Sequence, residues 1–398
     1  MEEDEKYILL QNGYSVSYNV NECFVNGIAN TKDPLDQRTG KEIAYDLKKK
    51  FYIDFFRKHY KNLVILTAAG TSIDNGLFPG KTRIQLWKCS KIEIKDLIKA
   101  LLPCTKKLKD IIKAKDIEAL LTHIMLYEKV NEDMSDIIIP LRKELEKKIK
   151  EVCSLPLDKS SAPHKTFLDK ITARKPSDPR VQLFTTNYDT LFEQAANEGG
   201  FVVIDGFSFT HPREFSGSYF DYDIVHREKT RIKQEESFVS KVFHLYKLHG
   251  SLNWERVTDI KIIQKEETAS PLIIYPASEK YESSYEQPYF EMMSRFQQAL
   301  RKEDTLLIVI GFGFQDKHIQ NVVIEAVAQN PGFQLVIINY NSNERIETIN
   351  LEKFFKNVTT MEAQRKVTIL FDKFSDFTDN YPENKTYIKT ENNEHFQS

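Results

Sequence analysis

Two short segments gather side chains able to bind and activate a small molecule. Phe184-Thr185-Thr186-Asn187-Tyr188-Asp189 closes one apolar run, and His249-Gly250 closes another that spans Val242 to Leu248. An asparagine at a strand end can hydrogen-bond ribose hydroxyls or hold a water, and an imidazole with a pKa of about 6.5 suits proton transfer at neutral pH. Each segment also has a structural reading. Thr186, Asn187 or Asp189 can cap a helix running from about Thr190 through Ala196, and a single histidine can be a satisfied packing residue. The catalytic reading gains from the other polar loops, which follow separate apolar runs and would open into one crevice.

Those loops are turns of small residues. Thr67-Ala68-Ala69-Gly70-Thr71-Ser72 offers backbone N–H groups that can approach a phosphate, with hydroxyls to add to them. Packing a helix tightly onto a strand calls for the same residues. Ile310-Gly311-Phe312-Gly313-Phe314-Gln315-Asp316-Lys317-His318-Ile319 carries a G-x-G whose backbone can come close to a nucleotide, although Asp316 stands where the dinucleotide fingerprint needs a third glycine. Asn339, in Ile338-Asn339-Tyr340-Asn341, suits either an adenosine ribose or a turn.

The elements that must position these residues read as α/β. Leu63-Val64-Ile65-Leu66, Val181-Gln182-Leu183-Phe184, Leu306-Leu307-Ile308-Val309-Ile310 and Leu335-Val336-Ile337-Ile338 are the runs that a parallel strand covered on both faces gives. Each ends in small or polar residues and leads into a helical stretch. Strand, ligand loop, helix is the order of a Rossmann-like parallel sheet, whose crevice lies at the carboxyl ends of the strands. Val242 to Leu248 and Leu272 to Tyr275 are further strand candidates.

None of the 14 glycines falls between Lys81 and Glu198, so that stretch is expected to be mostly helical. Apolar residues recur there at helical spacing in four groups, around Ile94–Leu102, Leu108–Ile112, Ile117–Ile124 and Leu141–Val152, with breaks expected near Pro103, Lys115 and Pro140. Their Lys-rich outer faces carry interspersed Glu and Asp and read as solvated. The expected organisation is an N-terminal extension over 1–60 with an irregular polar start and one helix at roughly 41–59. A Rossmann-like domain over 61–90 and 154–373 follows, interrupted by a helical insertion over 91–153 and ending in a polar tail over 374–398.

The 398 residues are 41% hydrophobic and 29% charged, which excludes a disordered chain and fits one α/β domain with a large insertion. A formal net charge of -2 gives no global reason to expect nucleic-acid binding. The acidic start Met-Glu-Glu-Asp-Glu-Lys is unlike a signal peptide, and no run of about 18 apolar residues occurs. A soluble, cytoplasmic protein without membrane association is expected. Cys23, Cys89, Cys104 and Cys153 form no C-x-x-C pair, so neither a zinc module nor a disulfide framework is expected, and no metal.

Taken in order, the motifs resemble the sirtuin family, and more closely its prokaryotic branch of sirtuin-like NAD hydrolases found in anti-phage defence. The matching set is the turn Ala69-Gly70-Thr71-Ser72, the T-x-N-x-D block from Thr185 to Asp189, the pair His249-Gly250 and the Gly-Phe-Gly loop with its trailing Asp-Lys-His-Ile, over roughly residues 60 to 345. The resemblance implies that NAD is bound as a substrate. It implies Ala69, Gly70, Thr71 and Ser72 at the phosphates, Asn187 and Asp189 at the nicotinamide ribose, and His249 as catalytic base. Gly311, Gly313, Asp316 and Asn339 are counted with the nucleotide contacts.

Departures from the family pattern narrow the activity. Ala68 stands at the first glycine of the G-A-G-x-S turn, and Gly76-Leu77-Phe78-Pro79-Gly80-Lys81-Thr82-Arg83 lacks the aspartate and phenylalanine of the deacylases' G-I-P-D-F-R segment. The four-cysteine zinc module is replaced by the helical block, which is expected to cap the nucleotide. Protein deacylation is therefore disfavoured against an NAD glycohydrolase, and a non-catalytic NAD or ADP-ribose sensor is the rival from a binding class. The resemblance further implies a separate activating protein, first a HerA-type ATPase. Homo-oligomerisation is expected because Tyr45, Phe51, Tyr52, Phe55, Phe56 and Tyr60 are more aromatic surface than one helix usually buries alone.

Overall fold

The computed structural model describes residues 5–11, 13–30, 36–100, 106–131, 135–226, 238–258, 260–266, 268, 270–273, 287–340 and 365–384. The strands are β1 (Lys6–Gln11), β2 (Tyr14–Tyr18), β3 (Cys23–Val25), β4 (Ile28–Ala29), β5 (Asn62–Thr67), β6 (Gln182–Thr185), β7 (Val202–Ile204), β8 (Arg213–Glu214), β9 (Val242–Lys247), β10 (Gly250–Ser251), β11 (Trp254–Arg256), β12 (Ile262–Gln264), β13 (Leu272–Ile273), β14 (Thr305–Ile310), β15 (Gln334–Asn339) and β16 (Val367–Phe371). The helices are α1 (Gly40–Phe56), α2 (Ala69–Ile73), α3 (Arg83–Cys89), α4 (Lys91–Ala100), α5 (Lys106–Ala114), α6 (Ile117–Val130), α7 (Ser135–Cys153), α8 (His164–Thr172), α9 (Leu191–Gly199), α10 (Tyr289–Arg301), α11 (Lys317–Gln329) and α12 (Phe374–Asn380).

Every residue of β5, β9 and β14 is buried, which requires cover on both faces of the sheet. Side chains alternate along a strand, so Leu63 and Ile65 join one core while Val64 and Leu66 join the other. The first core is closed by α1, α8, α9 and α12 through Tyr52, Phe167, Phe192 and Phe377, and the second by α10 and α11 through Phe296 and Val323. The sheet has eleven strands in the order β4-β3-β2-β1-β16-β15-β14-β5-β6-β9-β7. From β16 to β7 all neighbours are parallel. From β5 the chain builds outward through β6 and β9, then returns to β14 on the opposite side of β5. Strand order reverses between β5 and β14, and the loops leaving these neighbours open a crevice at their carboxyl ends. The expected Rossmann-like α/β fold is the one observed.

The N-terminal segment differs from the irregular start expected of it. β1 pairs with β16 antiparallel, and β2 and β3 continue the sheet outward. These strands are short and mixed in composition, so pairing and cover by α1 decide their conformation more than local propensity does. Three of the aromatic residues of α1 are covered within the chain, and Tyr45 stays exposed. Tyr52, Phe55 and Phe56 are buried, with ring centroids 5.9 Å from Tyr52 to Phe377 and 5.1 Å from Phe56 to Tyr381. These three rings therefore pack inside the chain rather than on its surface. Buried Lys48 pairs with Asp372 at 2.6 Å and Tyr52 donates to the same carboxylate at 2.6 Å, latching α1 to the end of β16.

Phe377 and Tyr381 belong to the segment expected to be a polar tail from 374. Phe374 and Phe377 fall one helical turn apart and both enter the core, so the described chain stays packed through α12.

The helical block has its own core, with Leu97, Leu120 and Leu145 buried in it, and α3 joins through Leu86 and Trp87, earlier than the expected start at 91. The break at Lys115 is present, with φ 53. Pro103 lies outside the described residues. Pro140 does not break a helix but sits inside α7; this close to the N-terminus it removes a single intrahelical bond. Leu272–Ile273 pairs with Gly250–Ser251 as β13 and β10, and positions 274 and 275 lie outside the described residues. Among the described residues no helix is long and apolar enough to cross a membrane.

Candidate active site

The two glycine turns meet at the point of strand reversal. Ala68 N–H donates to the Ile310 carbonyl at 3.1 Å and Gly70 N–H to the Gly311 carbonyl at 3.3 Å. A Cβ on Gly70 would stand 2.4 Å from Gly311 Cα, and Gly311, at φ +67, would clash equally in return. Backbone against backbone is what demands glycine here. The packing reading of the first turn therefore holds at Gly70.

Asn187 fixes the same turn from the next strand. Its Nδ2 donates towards Ala68 O at 2.9 Å, Ser72 Oγ at 2.8 Å and Thr71 Oγ1 at 3.1 Å. Thr71 Oγ1 donates to Ala68 O at 2.9 Å, and Ser72 Oγ donates to Asp189 Oδ2 at 2.5 Å. Both hydroxyl protons are thus committed to protein acceptors rather than offered to a phosphate, the role that the resemblance implied for Thr71 and Ser72.

Asp189 is likewise engaged. Its Oδ1 accepts Leu191 N–H at 3.2 Å, so the side chain that meets the first N–H of α9 is that of Asp189, one residue before the N-cap Thr190, and not that of Asn187. Burial pushes its carboxyl up, opposed by Lys247 and by the Ser72 hydrogen bond. Lys247, 2% exposed at the end of β9, pairs with Glu193 at 2.9 Å and donates to the carbonyl of Asp189. The Asp189 carboxylate ties α2, α9 and the loop after β6 together.

His249 follows β9, and the glycine beside it has a backbone reason: Gly250 takes φ +85 and a Cβ there would lie 2.1 Å from the Leu272 carbonyl. His249 Nε2 lies 3.0 Å from Asp316 Oδ2. The other carboxylate oxygen, Oδ1, accepts His318 N–H at 2.8 Å and Ile319 N–H at 3.3 Å, which makes Asp316 the N-cap of α11. Burial works to raise this carboxyl, but the bonds from His249 and the helix terminus outweigh it and hold it below the usual range. The residue that breaks the glycine fingerprint is therefore the partner of the histidine.

A cleft of about 630 Å³ lies between this sheet edge and the helical block. Ala68, Ala69, Ser72, Asn187, Asp189, His249, Gly311, Gly313 and Asp316 line one side, and Glu118, His123 and Cys153 line the other. Gly70, Thr71 and Asn339, the last at the end of β15, are not among the residues that line it. Three contributors escaped the sequence reading: Lys247, Tyr188 and Glu118, the last brought in by α6, where Tyr188 Oη donates to its Oε1 at 3.2 Å. α6 is mainly apolar, and no spacing in it marks the glutamate of its first turn as facing a cleft. The helical block forms one wall of the cleft.

A cysteine nucleophile is disfavoured. Burial pushes the Cys153 thiol up to about 12, so it stays protonated at neutral pH. Cys23, Cys89 and Cys153 are free thiols, and Cys104 lies outside the described residues. Among the described residues no three His, Cys, Asp or Glu side chains converge as metal ligands. What the cleft does hold is an imidazole oriented by a carboxylate, the arrangement of a general base, beside two backbone turns at a strand-reversal point.

Residues 181–361 match the family model described as SIR2-like domain. No curated protein matches the chain. The matched segment covers Asn187, His249, Gly311 and Asp316 and begins after the first glycine turn and the helical block. It supports a sirtuin-like family and NAD-related chemistry.

Proposed function

We propose that this chain is an NAD glycohydrolase, cleaving NAD to nicotinamide and ADP-ribose. The observation that carries the reading is the His249–Asp316 pair at 3.0 Å in the cleft that Asn187 also lines. Breaking the nicotinamide–ribose bond leaves a ribosyl cation-like transition state, so the site must hold the ribose, limit bulk water and direct one nucleophile at the anomeric carbon. His249 takes the proton from the attacking water, and Asp316 holds the imidazole so that the proton is accepted on the cleft side. The backbone of the turns at Ala69 and at Gly311 to Gly313 lines the path of the dinucleotide. Asn187 keeps the first turn in register and turns its remaining amide oxygen to water or ribose. No metal is required by this scheme.

The biological role that goes with this activity is NAD depletion in anti-phage defence, released through a separate activating protein, a HerA-type ATPase being the first choice. Release of free nicotinamide from NAD by the purified chain, with and without such a partner, tests the reading. Binding without release in both conditions favours a sensor. Release only in the presence of an acylated-lysine peptide favours a deacylase.

A further inference from the structure

The helical block brings one carboxylate into the cleft, where it is bonded to the opposite wall. Glu118 Oε1 accepts the hydroxyl of Tyr188, the residue between Asn187 and Asp189, at 3.2 Å. It lies within electrostatic reach of His249 and of Arg83. Two residues earlier on the same helix, Asp116 has its own cation, Arg83, at 2.7 Å. Glu118 has no ion-pair partner among the described residues; its hydrogen-bond donor is a neutral phenol. Burial and the neighbouring Asp116 raise its carboxyl, and His249, Tyr188 and Arg83 act in the opposite direction. A carboxylate walled in this way is costly without a positive charge beside it.

We propose that Glu118 is the residue by which the helical block selects the oxidised, positively charged nicotinamide ring over its reduced form. The inference rests on the NAD reading of the cleft. Its chemical sense lies in the balance of the cleavage. The C–N bond breaks with its electron pair going to the ring nitrogen, which neutralises the pyridinium. Water oxygen bonds to the anomeric carbon, and its proton passes to His249. Only the oxidised ring can leave in that way, so a site that binds it in preference avoids occupation by the reduced nucleotide. Glu118 changes neither its bonds nor its redox state.

The test is a comparison of dissociation constants for carbocyclic NAD, which keeps the pyridinium charge but resists cleavage, and for NADH. The wild-type chain is expected to bind the cationic ligand about tenfold more tightly, the effect of one charge pair at partly screened contact distance. Glu118→Gln preserves the acceptor for Tyr188 and removes the charge, so this preference should vanish with little change in melting temperature. Tyr188→Phe removes the hydrogen bond and keeps the carboxylate, and should retain the preference; it also serves if Glu118→Gln fails to fold. Equal affinity for both ligands in the wild type, a preference that survives Glu118→Gln, or loss of the preference in Tyr188→Phe would each overturn the inference. These outcomes are separate from turnover. A chain that binds with this charge preference but releases no nicotinamide sinks the hydrolase reading and leaves the role of Glu118 standing.

Discussion

His249 Nε2 and Asp316 Oδ2 stand 3.0 Å apart, joining the end of β9 to the N-cap of α11 across 67 positions of sequence. One oxygen of the carboxylate serves the imidazole and the other serves the helix. These two duties can be separated by a single substitution.

Asparagine caps helices about as well as aspartate. Asp316→Asn should therefore keep α11 capped and folded, while nicotinamide release falls by about 10² through loss of the oriented base. Unchanged turnover would remove Asp316 from the mechanism.

The same residue predicts an acid dependence of stability. The Asp316 carboxyl is held below its ordinary value in the fold, so its contribution is present above the unfolded pKa of about 3.9 and is lost as pH falls through the lower folded value. Urea titrations of wild type and Asp316→Asn should show a gap at neutral pH that closes below about pH 4. A gap that widens on acidification contradicts the assignment.

Asn187→Ala removes three contacts on the first turn. A cost of about 1–3 kcal/mol is expected from the buried acceptors left behind, together with weaker NAD binding and lost turnover. The helix content of α9 should persist, because its first N–H is bonded to Asp189 and not to Asn187. Circular dichroism, melting and calorimetric titration on one sample distinguish this from a side chain that only holds water.

Lys247→Met leaves Glu193 and the Asp189 carbonyl without their cation. Breaking a buried pair costs about 3–5 kcal/mol, and adding Glu193→Gln should recover part of it. Full additivity of the two changes in chemical denaturation would contradict a direct pair.

Gly70→Ala places a Cβ 2.4 Å from Gly311 Cα. The β5 and β14 turns must then separate, at about 2 kcal/mol or more, with NAD binding falling alongside. A stable Gly70→Ala chain with wild-type NAD affinity would show that the two turns need not touch.

The parallel core was legible because β5, β6, β14 and β15 are short apolar runs ending in polar loops, which only a doubly covered strand needs. Their order of use also placed His249 and Asn187 at one crevice. The N-terminal strands were hidden because their conformation comes from pairing with β16 and cover by α1. The Asn12-Gly13 and Asn26-Gly27 dipeptides were the local hairpin signals, the second standing between β3 and β4. α12 was masked by its polar neighbours, although Phe374, Phe377 and Tyr381 fall on one helical stripe. At the site, residue types were readable and their allegiances were not. Ser72, Thr71 and Asp189 look like ligand contacts and are bound to one another through Asn187. Asp316 looks like a missing glycine and is bound to His249. Such pairings join segments far apart in sequence, and no spacing rule encodes them.

The most direct measurement is chromatographic quantification of nicotinamide and ADP-ribose released from NAD by the wild-type chain and by His249→Ala, with NAD affinity measured on both. The account predicts equimolar products from the wild type, under activating conditions if a partner is needed, and turnover lower by about 10² or more in a variant that still binds NAD. Undiminished release by His249→Ala, or no release by the wild type with its activating partner, would contradict it.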